Sequence, residues 1–259
     1  MTISNQIHPT AIIGDNVNLG QNVQIGPYSI IEDEVSLGDN TRIGNHTTIC
    51  KGTSIGSDCT IYHSCSIGEA PQDLKYNGEP TKTKIGNHVN IREFVTINRG
   101  TIAHGTTEIG NDVLLMAYVH IAHDCIVGNN VIFANLVTLG GHVEIGDWAS
   151  LGGGVLVHQF TRIGIHAFIG GGYRVVQDVP PYILAQGEPI QFAGINRVGL
   201  RRRGYNTDDR QMIKSIYRQY FRSSMTRSEA LVQINKDYDS NPLAKTITDF
   251  IAGTSRGII

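Results

Sequence analysis

The sequence predicts a mainly β protein: a parallel β-helix built as a triangular prism of short strands, with a small α-helical domain at its C-terminal end. Three observations predict it. An aliphatic residue recurs at every sixth position, a small or β-branched residue recurs four places after it, and both patterns fade beyond Pro180-Pro181, where helical spacing takes over.

The aliphatic series begins at Ile7 and runs through Ile13, Leu19, Ile25, Ile31, Leu37, Ile43, Ile49, Ile55, Ile61 and Ile67. It returns in phase at Ile85, Ile91 and Ile97, then holds from Ile109 to Val175, with Phe133 inside the run. Only Asp73, Glu79 and Ala103 break it. Gly often follows the aliphatic, as in Ile13-Gly14, Ile43-Gly44, Ile109-Gly110 and Ile163-Gly164, and Val17, Val23, Thr41, Val89 and Val131 occupy the small position. Such a period suits neither a helix nor simple strand alternation. It suits a short strand and a tight corner, with one large and one small side chain turned inward. Three such faces close a triangle of roughly 18 residues per coil, and coils stack ~4.8 Å apart.

Residues 68–84 and 98–108 interrupt the series with polar sequence. In a solenoid, insertions go to loops on one face, often the binding face. The reading places the prism at 1–185, a connector at 186–198 and the helical domain at 199–259. In that domain Thr207 is expected to cap a helix carrying Met212, Ile213, Ile216, Tyr217, Tyr220 and Phe221. Thr226-x-x-Glu229 is a capping box for a second helix, and Asn241-Pro242 opens a third.

The chain has 259 residues, 40% of them hydrophobic, enough for one large domain and a small second one. Its formal net charge of -2 gives no general attraction to nucleic acid or anionic membrane. No apolar run approaches the ~20 residues that cross a bilayer, and the first ten residues lack the pattern of a secretory leader. The expectation is a cytoplasmic protein without a membrane span. Cys59, Cys65 and Cys125 fall at the small inward position, so they read as buried thiols rather than disulfides or zinc ligands.

Coil arithmetic locates the candidate chemistry. His123 lies two places past Ile121, and one coil later Gly141 occupies the same column, followed by Gln159. Asp124 should stack under His142, and the column of Ala122 and Gly140 leads to His158. Three histidines, an acid, an amide and a glycine N–H therefore converge on one edge. A neutral imidazole can take a proton from an alcohol near neutral pH, and a glycine lets an oxyanion approach the backbone closely. That set suits acyl transfer. Arg201-Arg202-Arg203 in a slightly acidic chain suits a phosphate.

Several strings then resemble a known family: IGEAPQDLKYNGEPT (67–81), IREFVTINRGT (91–101), HIAHDCIVGNN (120–130), LGGHVEIGD (139–147), VHQF (157–160), QDVPPYILAQG (177–187) and LRRRGY (200–205). They are similar to the UDP-N-acetylglucosamine O-acyltransferases, which take the first step of lipid A biosynthesis. The resemblance spans nearly the whole chain. It implies a left-handed helix and a homotrimer with a cleft between neighbouring prisms. Acyl carrier protein is implied as acyl donor and UDP-N-acetylglucosamine as acceptor, with no cofactor and no metal. His123 is implied as the general base and Gly141 as the oxyanion donor. Gln72, Asp73 and Lys75 are implied as loop contacts to sugar and phosphates, and His120, Asp124, His142, His158 and Gln159 as the lining of the cleft. Asn196, Arg202 and Arg203 are implied toward uridine and pyrophosphate, with Val198 standing where relatives carry an acid. Phe168, Gly171 and Pro189 are implied around the acyl chain.

Three rivals share the architecture. The later N-acyltransferase of the same pathway is expected to carry a large N-terminal domain, for which a repeat starting by Ile7 leaves no room. A 3-amino sugar acceptor would use the same base. A zinc hydratase resembling the carbonic anhydrases of this fold needs three ligands meeting at ~2.0 Å, which the columns of His120, His123 and His142 do not readily supply.

Overall fold

The computed structural model describes residues 4–259, so residues 1–3 of the expected prism lie outside the described residues. Each hexad becomes a strand of two to four residues, and the strands form three parallel sheets, the faces of a left-handed β-helix. Sheet A starts at Gln6–Ile7, sheet B at Ile12–Ile13 and sheet C at Asn18–Leu19. Regular coils repeat after 18 residues, as in the stacked pair Asn22 and Asn40. The two interrupted coils are longer. Ser57 and Asn87 stack across 30 residues, and Thr96 and His120 across 24.

The inward aliphatics explain why the chain winds this way. Ile31, Ile49, Ile67, Ile97, Ile121 and Leu139 are fully buried in one continuous core, beside buried Cys59, Cys65 and Cys125. Full burial of each such aliphatic contributes about 1.5–3 kcal/mol, available only when neighbouring coils cover it. All four cysteines are unbridged, and burial pushes the Cys125 thiol up to about 12.

Three residues after most of the aliphatics the backbone turns the corner through positive φ, from Asn16 at 55° to Asp124 at 59° and His142 at 60°. Asn and Asp tolerate this region best among L-residues, and here Tyr118, Leu136 and Phe160 adopt it too. The corner side chains form three ridges, named by the sheets they join: A/B, B/C and C/A.

Both interruptions leave the prism after a strand of sheet B. The loops themselves are shorter than the sequence reading, because strands claim their ends: Ser66–Glu69 and Lys82–Ile85 leave 70–81, and Thr96–Asn98 and Thr106–Ile109 leave 99–105.

The expected connector is instead structured. Ile183–Gln186 adds in parallel to sheet A beside Phe168–Ile169, then pairs antiparallel with Gln191–Ile195. This hairpin caps the open end of the core and carries the helices: α1 (Arg197–Arg202), α2 (Thr207–Arg222), α3 (Arg227–Asp237) and α4 (Pro242–Ala252). The N-cap of α2 is Asn206, not Thr207. Its side chain accepts from Asp209 N–H and completes a capping box, while Thr226 and Asn241 cap as expected. Tyr217 of α2 is buried and donates to the Pro181 carbonyl at 2.6 Å, tying the helices to the prism.

Candidate active site

The B/C ridge carries both loops and the candidate base, in neighbouring coils. Loop 70–81 leaves after Ile67, loop 99–105 after Ile97, His123 follows Ile121, Gly141 follows Leu139, and Gln159 follows Val157, each aliphatic pairing with the next in sheet B.

His123 is largely enclosed, and its Nδ1–H donates to Asp124 Oδ2 at 2.8 Å, which leaves Nε2 as the free lone pair. The Asp124 side chain is fully buried. Burial alone would raise its carboxyl, but hydrogen bonds from the Thr101 side chain, His123 and the Thr101 backbone, together with the charge of His142, hold it below the usual value. The carboxylate therefore stays ionised beside the imidazole and can stabilise the cation that forms when His123 takes a proton.

Gly141 packs against the His123 ring. A Cβ there would lie 2.6 Å from Cε1 and 2.7 Å from Nε2. The Gly141 carbonyl accepts from Phe160 N–H at 3.0 Å, whereas its own N–H donates to no group among the described residues. The C/A ridge shows what this position usually does. Asn87, Asn111 and Asn129 each donate their N–H, at 2.8 Å, to an Asn or Asp side chain of the following coil. On the B/C ridge the following residue is Gln159, and the amide beside the base stays open. An unpaired amide in this position is able to donate to an oxyanion.

His142 sits over Asp124 as the columns require, with Nε2 at 3.7 Å from Oδ2 and its ring edge-on to His123 at 5.1 Å. Burial pulls its pKa down against the charge of Asp124, and the charges of His104 and Asp73 also reach it. Loop 99–105 reaches the base in one chain through Thr101, which is hydrogen-bonded to Asp124. His120 faces outward from sheet B, hydrogen-bonded to Thr96 at 2.8 Å, and burial lowers its pKa. His158 and Gln159 are exposed further along the ridge, and Gln72 and Lys75 are exposed in loop 70–81.

His123, Asp124 and His142 also place their ligand atoms within 4.8 Å of one another, a possible metal set. The carboxylate argues otherwise. Oδ2, the oxygen between the two rings, already accepts from the Thr101 hydroxyl and from His123, and a cation bound there would have to displace them. The group reads as a hydrogen-bonded base.

Comparison with known proteins follows the same line. The family model described as Udp N-acetylglucosamine O-acyltransferase, Domain 2, matches residues 178–259, and that of bacterial transferase hexapeptides matches 16–51 and 106–141. The UDP-N-acetylglucosamine acyltransferase of Francisella novicida superposes with a TM-score of 0.96 at 36% identity, over 98% of this chain and 94% of that one. LpxA of Acinetobacter baumannii gives 0.95 at 42% identity, over 98% and 99%. This chain belongs to the UDP-N-acetylglucosamine O-acyltransferase family. The likeness extends to the acyltransferase of Arabidopsis, at 34% identity and a TM-score of 0.75 over 98% of each chain.

Within this acyltransferase fold the remaining expected residues do not join His123 in one chain. Asn196 is buried on the C/A side, where its Oδ1 accepts from Gly199 N–H at 3.0 Å to cap α1 and its Nδ2 donates to the His166 carbonyl at 2.9 Å. Arg203 stacks on Trp148 at 4.9 Å, Arg202 is exposed, and Val198 is exposed in a first turn with no acid. Phe168 lies on sheet A, and Gly171 on the A/B ridge two places past Ile169, while Pro189 is in the hairpin turn. The sequence reading also missed Thr101, Thr107 and His104. They lie where insertion breaks the period, so column arithmetic does not reach them.

Proposed function

We propose that this protein transfers a 3-hydroxyacyl group from acyl carrier protein to the glucosamine 3-hydroxyl of UDP-N-acetylglucosamine, the opening step of lipid A biosynthesis, in the cytoplasm. The observation that carries the mechanism is His123, held through Nδ1 by a buried carboxylate, with the unpaired Gly141 N–H against its ring.

His123 Nε2 takes the proton of the 3-hydroxyl as the oxygen attacks the thioester carbonyl. Negative charge gathers on the carbonyl oxygen, which the Gly141 N–H stabilises. Collapse breaks the C–S bond, and the imidazolium returns its proton to the departing pantetheine thiolate. Asp124 stabilises the imidazolium meanwhile, and no metal or cofactor enters any step. His120, His142, His158 and Gln159 line the cleft. Gln72, Asp73 and Lys75 reach the sugar and phosphates.

The working unit is a homotrimer. Its support within one chain is the separation of parts: the base lies on the B/C ridge, Asn196, Arg202 and Arg203 on the C/A side, and Phe168, Gly171 and Pro189 toward sheet A and its A/B ridge. A neighbouring prism laid alongside brings another ridge to the base. Arg202 and Arg203 then serve the pyrophosphate, and Phe168, Gly171 and Pro189 the acyl chain.

The test is a product assay. Purified protein, UDP-N-acetylglucosamine and a panel of 3-hydroxyacyl carrier proteins should yield a product heavier by one hydroxyacyl group, as an ester cleaved by mild base. An amide product from a 3-amino sugar nucleotide, with UDP-N-acetylglucosamine unused, would establish the amino-acceptor reading instead.

A further inference from the structure

Asp124 must be both anionic and aimed at His123, yet two imidazoles compete for the same oxygen. His123 Nδ1 lies 2.8 Å from Oδ2 and His142 Nε2 lies 3.7 Å from it. A buried carboxylate with a free torsion could turn to either ring.

We propose that Thr101 is the positioning residue that decides this competition, holding the Asp124 carboxylate on His123 and off His142. Besides His123, the hydrogen bonds to the carboxylate come from this one residue: Thr101 N–H to Oδ1 at 2.9 Å and the Thr101 hydroxyl to Oδ2 at 2.7 Å. Two donors on two oxygens fix the carboxylate plane, which one donor cannot do. The hydroxyl is itself oriented, since its oxygen accepts from Ala103 N–H at 3.2 Å and its proton is left for Asp124. Gly105 N–H closes the turn onto the Thr101 carbonyl at 2.7 Å, and Thr107, where the chain rejoins the prism, accepts from Asp124 N–H at 2.8 Å.

This gives the second insertion a purpose. Six residues beyond a regular coil, the difference between stacking over 24 and over 18, place one threonine beneath the acid of the next coil. A regular hexad would run straight from Ile97 into its corner. The shared Oδ2 also sets the strength of the pair. The Thr101 hydroxyl withdraws charge from the oxygen that His123 uses.

The inference rests on His123 being the base, and the experiment separates the two claims. The full-length enzyme is compared with Thr101→Val, Thr101→Ala, Thr101→Ser and His123→Ala. For each, kcat, the KM for UDP-N-acetylglucosamine, the pH profile of kcat and the melting temperature are measured. Thr101→Val should lower kcat about 10-fold or more with KM within about 2-fold, and its acid limb should move to higher pH as Oδ2 becomes a more basic partner. Thr101→Ala, which needs no extra room, should show the same loss, and Thr101→Ser should restore both rate and profile. Wild-type kcat and an unmoved acid limb in Thr101→Val and Thr101→Ala would overturn the inference, as would a Thr101→Ser enzyme as impaired as Thr101→Val. Near-full turnover of His123→Ala would instead remove the base and the inference with it.

Discussion

Gly141 shows how much a single missing side chain decides. A Cβ at this position meets the His123 ring at 2.6 Å, and a real one would push the imidazole off the line to its substrate. Gly141→Val should therefore fold, with overpacking costing about 1–3 kcal/mol, while turnover drops about 100-fold. Melting curves and initial rates check this, and a variant that unfolds without first losing turnover would mark a purely structural glycine. The pairing of His123 with Gly141 was legible in the sequence because both lie in an uninterrupted run where a column is fixed by counting. Asp124 under His142 was legible for the same reason. Thr101 was not, because the insertion that delivers it has no period to count.

The joint between prism and helices is a stack of rings on the C/A ridge. His166 lies between Trp148, at 6.2 Å, and Tyr182, at 5.6 Å, with its Nε2 bonded to the Tyr205 hydroxyl at 3.1 Å. Burial and the charge of Arg203 outweigh Asp147 and push His166 down from 6.5 to about 4. The unfolded chain then binds a proton that the fold refuses across that window, so stability is full above pH 6.5 and falls as pH drops toward 4. His166→Phe keeps the stack and removes the titration. Its melting temperature should fall less between pH 7 and pH 5 than that of the parent protein, and equal slopes would contradict the assignment. The ring stack joins the corner column of the hexads to Tyr205, just past α1, and sequence alone could not see it. The hairpin of Ile183–Gln186 and Gln191–Ile195 escaped for a related reason. One strand continues sheet A outside the hexad phase, and the other turns antiparallel, so neither keeps the repeat's signal.

The proposed trimer would bring ridges of neighbouring prisms together. Phe94 and Tyr118 stack at 4.9 Å on the A/B ridge and remain 41% and 54% exposed, with Leu136 beyond them at 57%. An apolar column left open along one ridge suits the contact that the proposed trimer needs, and light scattering should give the mass of three chains. Tyr118→Asp should lower that mass and the turnover together, and a wild-type protein with the mass of one chain would contradict the trimer. The prism was legible almost throughout, since its period repeats without regard to loops. The scatter of the expected site residues over different ridges became visible only when the coils were wound. Everything proposed for the cleft passes through one imidazole on the B/C ridge, so the most direct measurement is the turnover of His123→Ala with 3-hydroxyacyl carrier protein and UDP-N-acetylglucosamine. A folded variant slower by at least about 100-fold is the result expected, and one that turns over at close to the wild-type rate would contradict the account.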